Sequence, residues 1–292
     1  MEFQFLKFSE NDLILASVGI VILTIHFLPD TVRNVLIFNH QSPSIFAAFS
    51  THLVHASNQH LLGNVFIGFT ALLLLQYFFE GVNREDMFRK LAGFYLLLLP
   101  WIITGLSFLI FNLANIDLQN SVGFSALALA FVGSIPPTIF YYIKNSKIED
   151  LSVADSAPFF QIGLVFILAS YILIWFNSSI ISLSVEIIAV LFLSSLGLLA
   201  YSEYRLMEIL ENKLNLSLKE LGNIFSRKEQ VVLVFSVLVF VFGALLVAPS
   251  SGIVSEGGLV NIISHMVGFT LGFYCAEAYL MESYPRLKSY FQ

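Results

Sequence analysis

The stretch "NSVGFSALALAFVG", Asn120 to Gly133, changes character partway along. Polar residues end at Ser121, and an apolar run begins that reads as a membrane span over about 121–143. Ser125 sits just inside that run, two residues after Gly123, and Ala126, Ala130 and Gly133 give the run a face of small residues. A serine here has two readings. It can be a small residue that lets helices pack or that bonds its own backbone. It can also be a nucleophile at the mouth of a span. The choice depends on which way the span runs and on what other spans bring to the same depth.

Composition sets the frame. The chain has 292 residues, of which 57% are hydrophobic and 12% charged, and its mean hydropathy is +0.83. Soluble domains carry about 25% charged residues. The chain is therefore read as a polytopic membrane protein, with spans of roughly 20 apolar residues that the backbone's hydrogen-bonding needs make helical. The single cysteine, Cys275, rules out an internal disulfide and a cysteine-based metal site. The N-terminus, MEFQFLKFSENDL, lacks the basic-then-apolar pattern and cleavage site of a signal peptide, so the first span is expected to stay attached.

Eight apolar runs follow, at about 13–29, 60–79, 92–114, 121–143, 157–176, 179–200, 231–249 and 258–281. The two at 157–176 and 179–200 are separated only by Asn177 and Ser178 and read as a tight hairpin. With the N-terminus in the cytoplasm, the inner segments hold 13 of the 14 Lys and Arg residues, and the outer side keeps only Arg33. This positive-inside bias predicts an even number of spans and cytoplasmic termini, in a multi-pass protein of the cell membrane. The expected fold class is all-α, a polytopic membrane helix bundle of about eight transmembrane helices forming one integral membrane domain over 1–292. The outer segment 30–59 is long and half apolar. The inner segment 203–222 spaces Leu206, Leu210, Leu214, Leu218 and Leu221 as an amphipathic helix lying on the cytoplasmic face.

Ionisable and polar residues inside spans are costly and are functional candidates. Span two opens "HASNQHLLGNVF", with His60 and Asn64 four apart and so on one helix face. Span four carries Ser125, span eight carries His265, and span six carries Glu186. Spans two, four and eight all run from outside to inside in this topology. At about 1.5 Å rise per residue, Ser125 lies roughly 6 Å, and His265 roughly 10 Å, below the starts of their spans. By the same rise Asn64 lies roughly 6 Å below His60. A hydroxyl, two imidazoles and an amide thus fall in the outer half of the membrane.

A serine hydroxyl needs a neighbouring base, and neutral histidine is the usual one near pH 7. Attack on an amide builds an oxyanion that needs donors. An Asn side-chain amide, a second His and the Ser125 backbone N–H are candidates for that role. The outer half of the His265 span has no acid, and the nearest on that helix is Glu277, well inward. A catalytic pair here is a Ser–His dyad. Gly268 and Gly272 follow His265 as a GxxxG pair, and with the Ala126, Ala130 and Gly133 face they offer two surfaces for close approach.

Three patches resemble the rhomboid family of intramembrane serine proteases. "HASNQHLLGNVF" resembles the family's H-x4-H-x3-N block through His55, His60 and Asn64. "GFSA" resembles its G-x-S-G through Gly123 and Ser125, and "HMVGFTLG" its H-x2-G-x3-G through His265, Gly268 and Gly272. The resemblance covers roughly 10–144 and 231–282, the rhomboid-like core. It implies a Ser125 nucleophile, a His265 base, and an oxyanion site from His60, Asn64 and the Ser125 N–H. It further implies cleavage of transmembrane segments near the outer face without a cofactor or metal. The implied partners are transmembrane protein substrates and the lipid bilayer, and no nucleic acid. The long 30–59 segment would be the family's partly embedded first loop, and span seven the helix often proposed as its substrate gate. There are two departures. Ala126 stands where the family has glycine, and the usual six-helix core is joined by two further spans, most simply the 157–200 hairpin. An inserted pair preserves the orientation of every later span.

Other readings compete. A proteolytically silent rhomboid-like protein that captures or escorts membrane proteins usually lacks the Ser or the His, and both are present. A transporter would use Glu186 and the histidines as a polar path, but no internal repeat is visible. HExxH is absent, which argues against a zinc metalloprotease. His52 and His55 are expected at the outer interface, where two His three apart without acids make a weak metal site and a structural role is favoured. His26 and His40 receive no role.

Overall fold

The structure, a computed structural model, describes residues 9–113, 120–148, 218–247 and 258–282, with isolated positions between 151 and 209. The expected hairpin at 157–200, Glu186 within it, and most of the 203–222 amphipathic segment lie outside the described residues.

Helix α1 (Glu10–His26) starts at a capping box in which Ser9 and Asp12 exchange backbone and side-chain bonds of 3.1 and 2.8 Å. The 30–59 segment then folds as α2 (Asp30–Leu36), strand β1 (Phe38–Asn39), α3 (Ile45–Ser50) and a 3-10 turn at Thr51–Leu53. Helix α4 (Asn58–Glu80) is capped by Ser57, whose hydroxyl accepts from the His60 N–H. Helices α5 (Glu85–Leu97) and α6 (Leu99–Leu113) meet at a 43° bend. The sequence reads this region as one span starting near 92. Pro100 accounts for the difference, because it has no N–H for the carbonyl four residues back and its ring crowds that turn.

Strand β2 (Asn120–Ser121) leads into α7 (Ser125–Gly133), which continues through Ser134 into α8 (Ile135–Ser146). Helices α9 (Leu218–Ile224), α10 (Arg227–Val247) and α11 (Gly258–Glu282) follow. The molecule is a mostly helical bundle. Among the described residues, Asn58–Glu80 and Ser125–Ser146 are long and apolar enough to cross a membrane, and the bent α5–α6 pair would be a third.

Every residue of α7 is buried, as expected of a helix that is apolar all round. It is the axis of the bundle, with α4, α10 and α11 packed around it. In lipid there is no hydrophobic drive between helices, so close packing and polar contacts must hold them. The α7–α11 seam shows the first. A Cβ on Gly268 would stand 2.1 Å from the Ala126 carbonyl oxygen, and one on Gly272 2.0 Å from that of Ala130. In return, a Cβ on Gly133 would stand 2.3 Å from the Phe269 carbonyl oxygen. The two backbones touch, and no side chain fits between them. A buried polar knot closes the same seam. The Tyr95 hydroxyl donates to the Gly272 carbonyl at 2.6 Å, and Ser134 Oγ lies 2.8 Å from both the Tyr95 hydroxyl and the Ala130 carbonyl.

At the opposite end of the bundle from Ser125, Lys147 pairs with Glu229 at 2.7 Å, and the Tyr142 hydroxyl donates to the same carboxylate. This ties α8 to the first turn of α10.

One feature departs from an all-α expectation. Strands β1 and β2 pair antiparallel, Phe38 opposite Ser121 and Asn39 opposite Asn120. Strands of two residues carry no alternation for a sequence to reveal.

Candidate active site

Ser125 is the first residue of α7. The first N–H groups of a helix have no acceptor within it, and they form the positive end of its dipole. The turn that delivers Ser125 is fixed by Gly123, whose φ of +122° disfavours any side chain. Space forbids one as well. A Cβ there would stand 2.7 Å from His60 Cε1, 3.1 Å from His60 Nε2 and 3.5 Å from Ser125 Oγ. The His60 imidazole and the Ser125 hydroxyl therefore flank the same bare Cα.

His265 Nε2 lies 2.6 Å from Ser125 Oγ, a direct hydrogen bond between residues 140 apart in sequence. The bond follows from the seam described above. Gly268 is one turn beyond His265, and its contact with Ala126 fixes the approach of α11 beside Ser125. Ala126 is 1% exposed, and its backbone forms the contact surface for Gly268.

Asn64 lies one turn inward from His60 on the buried stripe of α4 that includes Gly68, Ala71 and Leu72. Gly68 meets Phe124 and Ala128, so this stripe faces α7. Asn64 Nδ2 has no hydrogen-bond partner among the described residues, although it is buried. An orphaned donor at such a depth is costly, and it is free to serve a ligand.

Several contributors were not singled out from sequence. The 30–59 segment clasps the turn before Ser125. The Gly123 N–H donates to the Thr51 carbonyl at 3.0 Å, and the Thr51 hydroxyl donates to the Ser121 carbonyl. His40, given no role from sequence, hydrogen-bonds Ser121 Oγ at 2.7 Å and stacks on Phe108. His26, likewise unassigned, hydrogen-bonds the Asn58 side-chain oxygen at 2.7 Å.

His52 is enclosed by protein. It is 4% exposed, and its Nε2 is 3.2 Å from the Pro100 carbonyl and 3.0 Å from Thr104 Oγ1. Burial pushes its pKa down to about 4, with the Pro100 and Gly123 carbonyls pulling partly the other way. His55 is fully buried, its ring 5.4 Å from that of His60 and 6.4 Å from that of His26. Burial, and then the nearness of His60, lowers its pKa to about 4. Both are neutral imidazoles at physiological pH. The neighbours that bury them are distant in sequence, so the spacing around them does not show the burial.

Ser125 also opens on a small cavity shared with Thr51, His52, Thr104, Ser107 and Ser264. Its volume of about 20 Å³ holds one water. Ser107 Oγ and Ser264 Oγ lie 3.2 Å apart in its wall. The available signal was Thr104 and Ser107 at helical spacing in an apolar run, together with Ser264 beside His265.

Together these residues offer a hydroxyl with a base in contact, helix N–H donors, a nearby imidazole, an unpaired amide and room for a water. Compared with known protein families, characterised proteins and solved structures, the chain matches none.

Proposed function

We propose that this protein is an intramembrane serine protease of the rhomboid kind, hydrolysing peptide bonds in or near transmembrane segments with a Ser125–His265 dyad. The observation that carries the reading is the 2.6 Å contact between Ser125 Oγ and His265 Nε2 at the start of a buried helix. In this reading Ser125 Oγ attacks the scissile carbonyl carbon while His265 Nε2 takes the hydroxyl proton. The oxyanion is met by the Ser125 N–H, with His60 and Asn64 Nδ2 as further donors. The tetrahedral adduct collapses and the C–N bond breaks, with His265 returning the proton to the leaving amine. A water from the cavity beside Ser125 then hydrolyses the acyl-enzyme, again with His265 as base.

The wider architecture of the proposal is an eight-span bundle with cytoplasmic termini. The rhomboid-like core covers 10–144 and 231–282, and the 157–200 hairpin is inserted as an even pair that keeps His265 on the side of Ser125. The substrates are membrane proteins, and the site opens toward the outer face, where the charge bias leaves only Arg33. Cleavage of a reporter with a single transmembrane segment, by the full chain in proteoliposomes, tests this. Wild type cuts the reporter, and Ser125→Ala and His265→Ala do not, although both remain folded. Full cleavage by both variants would overturn the proposal.

A further inference from the structure

A second cavity lies on the other side of His52. It is bounded by Val18 and Val21 of α1, Phe49 of α3, Leu97 at the bend, and Phe124 and Leu127 at α7. Its volume of about 330 Å³ is at the lower end of ligand pockets, roughly 300–1,000 Å³. α1 packs on α4 and the 3-10 turn, and Leu96, Leu97 and Pro100 at the 43° bend line the pocket as well. We propose that this pocket binds one acyl chain of a membrane phospholipid.

Among the described residues the lining carries no charge, and its side-chain polar groups are those of Ser17 and His52, of which only His52 Nδ1 is left without a partner. The Ser17 hydroxyl donates to carbonyls of its own helix, those of Leu13 and Ile14. His52 Nε2 is engaged by Pro100 and Thr104. A resident water needs two to four polar partners, and these walls do not offer them. An empty pocket of this size forfeits dispersion contacts along its whole lining. The medium at the mouth decides the occupant. Of the lining residues, Leu97 is 61% and Val21 44% exposed, and in a bilayer such a surface faces hydrocarbon. The pocket extends along α1 from Ile14 to Val21, about 10 Å at 1.5 Å per residue, a length suited to a linear chain. The inner end of the chain rests on Phe124, the residue before Ser125, and on His52, which also lines the Ser125 cavity.

The test needs no assumption about proteolysis. The full chain is reconstituted in dioleoylphosphatidylcholine, re-extracted in mild detergent, delipidated stepwise and weighed by native mass spectrometry. Wild type retains one phospholipid after bulk lipid is gone. Leu97→Trp at the mouth and Val18→Trp in the wall lower the retained fraction by roughly tenfold, equivalent to ~1.4 kcal/mol. Val234→Trp, on the exposed face of α10, leaves it unchanged. Should Val18→Trp not fold, Leu97→Trp at an exposed position decides. Wild type without a retained lipid, equal retention by the Trp variants, or a retained mass matching free fatty acid or detergent would each overturn the proposal.

Discussion

The α7–α11 seam and the clasp formed by the 30–59 segment both reach Ser125, and they hold it by different means. The seam is backbone against backbone, with Gly268 on Ala126, Gly272 on Ala130 and Gly133 on Phe269. Its contacts leave no room for a side chain, so they set how closely α11 approaches α7. The clasp is polar. Thr51, His40 and the β1–β2 pair hold Asn120 to Gly123 through hydrogen bonds, and the neutral His52 and His55 sit buried behind them. The seam sets where Ser125 and His265 meet, and the clasp sets the turn that presents the serine. Disturbing the seam should therefore cost the fold, and disturbing the clasp should cost presentation and acid tolerance.

The largest effect is expected at the seam. Gly272→Val drives a branched side chain into the Ala130 backbone. Overpacking usually costs about 1–3 kcal/mol, occasionally more, and a clash with backbone belongs at the top of that range or above. The variant should lose reporter cleavage and about 6–12 °C in thermal midpoint, at roughly 2–4 °C per kcal/mol for a chain of this size. A near-wild-type midpoint would break the claim that the seam is rigid.

Next is the oxyanion face. Asn64→Ala should lower kcat by about 10²–10³, or roughly 3–4 kcal/mol, the cost of removing one oxyanion donor, with little change in melting. A stability loss without a kcat effect would make Asn64 a tether only.

The clasp carries an acid sensitivity that the seam lacks. His52 and His55 have pKa values near 4 in the folded protein, against 6.5 for the free group. Their neutral burial is fully tolerated above pH 6.5, and stability is lost as pH falls from 6.5 to about 4. The limit is about 3 kcal/mol for each, at 1.36 kcal/mol per unit. Melting followed from pH 7.5 to 4.5 should decline mainly below 6.5. His52→Gln should flatten part of that decline, and an unchanged profile would remove His52 from the account. The smallest effect is at the polar knot. Tyr95→Phe removes the hydroxyl's two hydrogen bonds, to the Gly272 carbonyl and from Ser134 Oγ, but Ser134 keeps its carbonyl acceptors, so the change should cost about 1–2 kcal/mol in stability while leaving cleavage intact.

What the sequence could carry follows from the range of each interaction. Helix extents came from apolar runs, and α4, α10 and α11 lie within a few residues of the runs at 60–79, 231–249 and 258–281. Gly268 and Gly272, four apart, mark a face where a backbone comes close, because that information is local to one helix. The clasp could not be read in this way. Thr51 and His40 lie 70 and 81 residues from Ser121, the paired strands have two residues each, and no periodicity links them. The burial of His52 depends on Pro100 and Thr104 from another helix, which spacing around His52 cannot show. The bend at Leu98 was marked by Pro100, but the continuous apolar run around it hid the break.

The central claim is that His265 activates Ser125. The most direct test treats the full chain in membranes with a fluorophosphonate probe and locates the adduct by mass spectrometry. The account predicts an adduct on Ser125 in wild type that disappears in His265→Ala while that variant stays folded. An unlabelled Ser125 in wild type, or equal labelling without His265, would contradict it.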